Sequence, residues 1–222
     1  MPKVAQKKAT PAITDLVVHD CQQGSIEWLE CRLGRATASN FATIMASGKD
    51  GGISAGRATL LRKLAGEVIT GEPMENFTTK EMEKGTQMEP EILDWYQRTK
   101  FADVEKVGFI YNPELDAGWS PDGLVGADGA IEMKWHRPDV MIELLERGTF
   151  PSNHRPQVHG AMWVGRRKWI DYVAFSHSKL PKYVARVEVD MIYRKEISDA
   201  VQIFNWDLKK MVERMRAKGA TG

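Results

Sequence analysis

Ser120-Pro121-Asp122-Gly123 and, shortly after, Glu132-Met133-Lys134 bring two carboxylates and an amine into one stretch of chain. A strand alternates its side chains between two faces, so Glu132 and Lys134 share one face and Met133 points to the other, into the core. Asp122 starts the preceding strand, and Ala127-Asp128-Gly129 between them has the composition of a hairpin turn. Folding at that turn brings Asp122 beside Glu132. Two carboxylates at such range repel unless something positive separates them. A Mg²⁺ ion held by one or two carboxylates, the Met133 backbone carbonyl and waters meets that need. Lys134, next on the same face, is placed to hold or deprotonate a water near the metal. The chemistry this suits is hydrolysis of a phosphodiester by a metal-activated water.

Four more residues extend the constellation. Glu89, on a helix before the strands, is a further carboxylate for the same metal site. Gln157, near the start of a later helix, has an amide that can orient a water or a phosphate oxygen. Arg32 and Ser39 flank a break at Gly34. Arginine offers a planar fork for a terminal phosphate, and a serine at a helix N-terminus adds a hydroxyl and backbone N–H groups. Taken singly, each of these also suits an ordinary surface, cap or turn role, and Ser-Pro-Asp-Gly is a good turn sequence in its own right. His136, His154, His159 and His177 lack metal-ligand spacing. Trp163, Trp169 and Trp206 suit core or interface positions better than base-stacking platforms.

The elements that must position these residues follow from periodicity. Ser25 caps a short helix to Leu33, with Ile26, Leu29 and Leu33 recurring on one face and Gly34 stopping it. Thr37 or Ser39 caps the next short helix, Gly48–Gly56 is a loop, and a helix over 58–69 follows. Thr78 with Glu81 has capping-box spacing and opens a long helix to about Arg98, in which Gly85 and Pro90 predict a bend or break. The period then changes. Strands are expected over 104–111, 117–119, 123–126 and 130–135, helices over 138–147 and 155–164, strands over 169–176 and 183–189, and a long amphipathic helix from Met191 to about Lys218. The fold class this gives is mixed α/β (α+β). Residues 1–14, with Lys3, Lys7 and Lys8, read as a flexible basic arm, and 15–222 as a single domain.

Composition narrows the classes. The chain has 222 residues and a net charge of +1, with 27% charged and 42% hydrophobic residues, which is ordinary globular usage. Two cysteines, Cys21 and Cys31, exclude a disulfide framework and a four-thiolate metal or iron–sulfur site built by this chain alone, and suit a reducing cytoplasm. No apolar run reaches membrane-span length, and no signal-peptide core is present. The charge is unevenly spread. Residues 81–132 carry 12 acidic and 4 basic side chains, and residues 133–222 carry 17 basic and 10 acidic. The acidic stretch can gather a hard cation, and the basic remainder can hold a polyanion.

Trp28-Leu29-x-x-Arg32-Leu33-Gly34-x-x-Thr37-Ala38-Ser39, Gly85-x-x-x-Glu89, Ser120-Pro121-Asp122-Gly123-Leu124, Glu132-x-Lys134 and Gln157-Val158-x-x-x-Met162-Trp163 occur in this order. In order and spacing they resemble the phage lambda-type exonucleases, or YqaJ-type viral recombinases, of the PD-(D/E)xK nuclease superfamily. The resemblance covers about residues 20–190. It implies a restriction-endonuclease-like core, a mixed central β-sheet flanked by helices. It implies Mg²⁺-dependent 5′→3′ digestion of linear double-stranded DNA, releasing mononucleotides and leaving a 3′ single strand. Two ions are implied, with Mn²⁺ as a substitute. So are a homotrimeric ring that moves processively, a phage single-strand annealing protein as partner, and a phage or prophage origin in the bacterial cytoplasm. On matching positions, Asp122, Glu132 and the Met133 carbonyl look like metal ligands, and Glu89 like an auxiliary acid near a second metal. Lys134 looks like the group that activates the water, with Gln157 assisting. Arg32, Ser39 and Ser120 look like a 5′-phosphate pocket. The family member compared has Gln where this chain has His159, and the basic C-terminal helix matches too loosely to carry a role. The rival readings are an endonuclease or junction resolvase on the same core, and a non-catalytic DNA-end binder.

Overall fold

The computed structural model describes residues 16–74 and 80–219. The expected basic arm and Thr78, the expected cap of the long helix, lie outside the described residues. Strand β1 (Val17–His19) leads to helix α1 (Ile26–Arg32), which Ser25 caps by accepting the Trp28 N–H at 3.2 Å. Strand β2 (Ala36–Thr37) passes through a 3₁₀ turn (Ala38–Asn40) into α2 (Phe41–Met45). Ser39 lies inside that turn and Thr37 makes no side-chain cap bond, so the expected cap is replaced by the tighter turn. Helix α3 (Ala55–Thr70) is capped by Ser54, and α4 (Lys80–Lys100) is continuous through Gly85 and Pro90. There follow β3 (Val104–Glu105), β4 (Phe109–Asn112), β5 (Ala117–Trp119), β6 (Gly123–Val125) and β7 (Gly129–Trp135). Helix α5 (Pro138–Arg147), a 3₁₀ turn (Ser152–His154) and α6 (Arg155–Val164) precede β8 (Trp169–Phe175), β9 (Tyr183–Glu188) and α7 (Met191–Gly219).

The class is mixed α/β as expected, but the strands divide into two mixed sheets. The larger runs β3-β6-β7-β8-β9 and the smaller β1-β4-β5-β2. The single strand expected over 104–111 is therefore two strands, one in each sheet. The chain crosses between sheets at Lys106–Gly108 because Gly108 donates its N–H to the His19 carbonyl at 3.1 Å. A Cβ on Gly108 would stand 2.1 Å from the Cys21 carbonyl oxygen, so only glycine permits this crossing. Ser120-Pro121-Asp122 is the second crossing, from β5 in the small sheet to β6 in the large one.

Strands β7 and β8 are parallel and pair over seven positions, from Gly129↔Trp169 to Trp135↔Phe175. Such a pair needs a long crossover, here α5 and α6. Each face of the sheet is covered. Ile131, Met133, Val173 and Phe175 pack against Ile92 and Tyr96 of α4. Ala130, Ile170, Tyr172 and Ala174 face the layer of α2, α3, α6 and α7. Burying each large apolar side chain contributes about 1.5–3 kcal/mol, so both layers hold the sheet firmly. Helix α6 is seated by Gly160, where a Cβ would meet the Phe41 ring at 2.1 Å. Trp163 is core, whereas Trp206 on α7 is 61% exposed. No described helix is long and apolar enough to cross a membrane.

Candidate active site

Strand β6 stops pairing at Gly123↔Ile131 while β7 runs on to Trp135. The antiparallel register sets Asp122 opposite Glu132, as the turn at Asp128-Gly129 predicts. Beyond the end of β6 the Met133 N–H has no strand partner, and Asp122 Oδ2 accepts it at 2.6 Å. N–H and C=O of one strand residue point to the same side, so the Met133 carbonyl also faces the Asp122 side. Glu132 Oε1 accepts from the Lys134 ammonium at 2.5 Å and from the Gln157 amide at 2.6 Å. Glu132 Oε2 is buried and has no hydrogen-bond partner among the described residues. Four of the expected residues thus converge, with the Met133 carbonyl turned toward them.

The electrostatics are those of acids crowded without enough positive charge. Burial pushes the Glu132 carboxyl up to about 7; Lys134 opposes this, and Asp122 and Glu89 add to it. Burial also raises Asp122, against the pull of Lys134. Glu89 is raised by burial and then by the Asp122 charge, so α4 delivers it to the same acidic group. Its other neighbour is Lys106 on the first sheet crossing, at 3.9 Å. At Lys134 burial works downward, but Glu132 and Asp122 outweigh it and hold the ammonium above its ordinary value. Among the described residues no three His, Cys, Asp or Glu side chains form a ready-made metal cage. The donor set is two adjacent carboxylates, a third nearby and a strand carbonyl. That is the hard, incomplete set which suits Mg²⁺ keeping some of its waters, and the bare, buried Glu132 Oε2 is an acceptor fit for it.

Arg32, at the end of α1, donates to Ser120 Oγ at 2.8 Å and reaches Thr37 Oγ1 and Ser39 Oγ at 3.5 Å. Its guanidinium lies 4.2 Å over the Trp28 ring, and the Trp28 indole N–H also donates to Ser120 Oγ, at 2.9 Å. Burial lowers Arg32 to about 10, with Glu67 working the other way, so it stays charged at neutral pH. A half-buried cation whose partners are hydroxyls and a ring face, with no carboxylate among the described residues bound to its fork, is a socket for an anion. A cleft of about 1040 Å³ joins this socket to Glu89, with Trp28, Arg32, Ser39, Thr86 and Lys106 also in its walls. Gln23 donates to the Pro121 carbonyl at 2.8 Å and ties the wall to the second sheet crossing.

All the sequence-predicted site residues fall into these two connected sub-sites. Sequence reasoning gave Thr37 only a capping role and assigned none to Trp28, Gln23 or Lys106. Trp28 stood inside the quoted motif and its i, i+4 spacing to Arg32 on a helix was a signal. Lys106 and Gln23 gave none, because their partners are far away in sequence.

A family model for the YqaJ-like viral recombinase domain matches residues 27–168. The chain is similar to the solved alkaline exonuclease LHK-Exo from Laribacter hongkongensis, at 30% identity and a TM-score of 0.80, over 89% of this chain and 99% of that one. The same figures hold for LHK-Exo in complex with dAMP. A phage related exonuclease from Haemophilus somnus 129PT is 15% identical with a TM-score of 0.59, over 82% of this chain and 96% of that one, and shares the fold. No curated protein matches the chain. The matched span contains the anion socket and the acidic group alike, and with it most of the chain: this protein belongs to the YqaJ-like viral recombinase domain family.

Proposed function

We propose that the protein is a Mg²⁺-dependent 5′→3′ exonuclease acting on the ends of linear double-stranded DNA. It would release 5′-mononucleotides and leave a 3′ single strand for phage-type recombination by annealing. The observation that carries this is the split role of Glu132: one oxygen collects Lys134 and Gln157, while the other is bare and buried beside Asp122. The likeness to an alkaline exonuclease solved with dAMP, a single nucleotide, supports the same reading.

Arg32, Ser120 and Ser39 bind the 5′-phosphate, and Trp28 holds the guanidinium flat beneath it. Asp122, Glu132 and the Met133 carbonyl would hold one cation, and Glu89 would serve a second. Mg²⁺ held there would supply Lewis-acid chemistry for the scissile phosphate and offset the carboxylate charge. A cation offsetting the Glu132 and Asp122 charges would leave burial to favour the neutral amine of Lys134, the group placed to take a proton from the attacking water. Gln157, donating to the same Glu132 oxygen as Lys134, assists in orienting that water. Attack in line with the O3′ leaving oxygen frees one nucleotide. Mn²⁺ substitutes for Mg²⁺ because the donors are oxygens. The proposal includes a homotrimeric ring that encircles DNA and a phage single-strand annealing protein as partner, on the strength of the family resemblance.

Linear DNA labelled at either end, with and without a 5′-phosphate, tests activity, polarity and end recognition together in Mg²⁺. Loss of the 5′ label first, as mononucleotide, and faster from phosphorylated ends, is expected. Cutting of a closed circular plasmid would replace this reading with an endonuclease, and no Mg²⁺-dependent cleavage of any DNA would leave an end binder.

A further inference from the structure

Three ring side chains that this scheme leaves unused meet behind Lys134. Tyr172 on β8 stands level with Glu132 on β7, so both lie on the same face of the sheet. The Tyr172 hydroxyl and His136 Nε2 share a hydrogen bond of 3.0 Å. The His154 ring packs edge-on against Tyr172 at 5.4 Å and against His136 at 5.9 Å between centroids. Phe150 packs against Tyr172 at 5.0 Å. His154 is the N-cap of α6, three residues before Gln157. N-cap and third helical position are neighbours in the first turn, which sets His154 on the Gln157 side of the acid site. Its Nδ1 is buried and has no hydrogen-bond partner among the described residues. Buried polar atoms are seldom left so.

Lys134, whose charge acts on both His154 and His136, has N–H groups to spare. An ammonium carries three N–H groups, and Glu132 Oε1 accepts one of them. Burial, followed by the charges of Lys134 and His136, holds His154 down at about 4, so its imidazole is neutral and has a lone pair to offer. The facing groups are Lys134, His136 and Glu132 from β7 and its continuation, Tyr172 from β8, and Gln157 from its own helix. We infer that His154 is a positioning residue for Lys134: its Nδ1 accepts from the amine, directly or across one water, and holds Lys134 between Glu132 and the α6 N-terminus, aimed at the water it acts on. The hydrogen-bonded His136 and Tyr172 fix the plane of the His154 ring.

The inference rests on the nuclease reading, and its test separates the two. His154→Phe keeps the ring and removes both nitrogens. His154→Asn returns a polar atom at the Nδ1 place, and His154→Gln returns one near Nε2. On linear DNA in Mg²⁺, His154→Phe should lower kcat roughly ten- to hundredfold with KM unchanged. His154→Asn should recover most of kcat and His154→Gln little. In the metal-free wild type, imidazole ¹⁵N shifts should show His154 Nδ1 unprotonated and hydrogen-bonded, and Lys134→Ala should move that signal. Wild-type kcat in His154→Phe, equal rescue by Gln and Asn, or a signal indifferent to Lys134→Ala would each overturn the inference. Should the wild type digest no DNA, the nuclease reading falls, while the nitrogen shifts still decide whether His154 and Lys134 are in contact.

Discussion

Raising the pH from 6 to 8 should tighten Mg²⁺ binding to the metal-free protein about tenfold. Glu132 is only 1% exposed, and burial lifts its carboxyl from the ordinary 4.5 to about 7 in spite of Lys134. Only the ionised form binds the cation. At pH 6 most sites must first lose a proton, which weakens the apparent affinity by a factor of about 11, or ~1.4 kcal/mol. At pH 8 the factor is about 1.1. Asp122 and Glu89 are raised as well, so tenfold is a floor. Calorimetry in two buffers of different protonation enthalpy should count about 0.9 proton released from Glu132 per site at pH 6 and about 0.1 at pH 8. The stability of the metal-free protein should move the opposite way. A carboxyl raised in the folded state binds more protons folded than unfolded, so stability falls as pH rises through 4.5 and on to about 7. Mg²⁺ should cancel that fall. An affinity flat between pH 6 and 8 with no proton release would refute the argument that Glu132 is a crowded, buried ligand.

Lys134→Ala should leave DNA-end binding intact, measured by gel shift in Ca²⁺, and abolish digestion; wild-type cleavage would remove Lys134 from the chemistry. Arg32→Ala should erase the preference for 5′-phosphorylated over 5′-hydroxyl ends, a charge-assisted contact worth ~1.5–3 kcal/mol, or roughly 10- to 150-fold in rate at limiting substrate. An unchanged ratio in competition digests would assign end recognition elsewhere. Gly160→Ala should destabilise the protein by about 1–3 kcal/mol through the Phe41 ring, read as a drop of several degrees in melting temperature by circular dichroism.

The acid site was legible in sequence because its parts are local. Glu132 and Lys134 share a face by strand alternation, and the Asp128-Gly129 turn fixes Asp122 against Glu132 through a register that the structure reproduces. The division of the strands was not legible. Val104 to Tyr111 reads as one β-rich run, and what parts it is the His19 carbonyl and the Cys21 backbone pressing on Gly108, contacts from far away in sequence. β1 and β2 escaped notice because segments of three and two residues carry no period. Pro90 suggested a break in α4, yet the helix continues, anchored on its far side by the Tyr96 hydroxyl donating to Asp171 at 2.7 Å. His154, Tyr172 and His136 come from three separate segments, and no spacing rule connects them.

Ser120-Pro121-Asp122 joins the two sheets, and it also runs directly from the Arg32 socket to Asp122. Ser120 is gripped by Arg32 and Trp28, Pro121 by Gln23, and Asp122 by the Met133 N–H. Two residue steps of extended chain span at most ~7 Å, the scale of a single nucleotide step along a strand. With all three residues clamped and one of them proline, this span cannot stretch or slip. On the proposed reading, with a 5′-phosphate at Arg32 and the cut at the acids, the bridge would work as a gauge block, setting the length of the product by covalent geometry, independently of base identity. One inserted glycine between Ser120 and Asp122 would change the bite of the enzyme without touching any group that performs the cut.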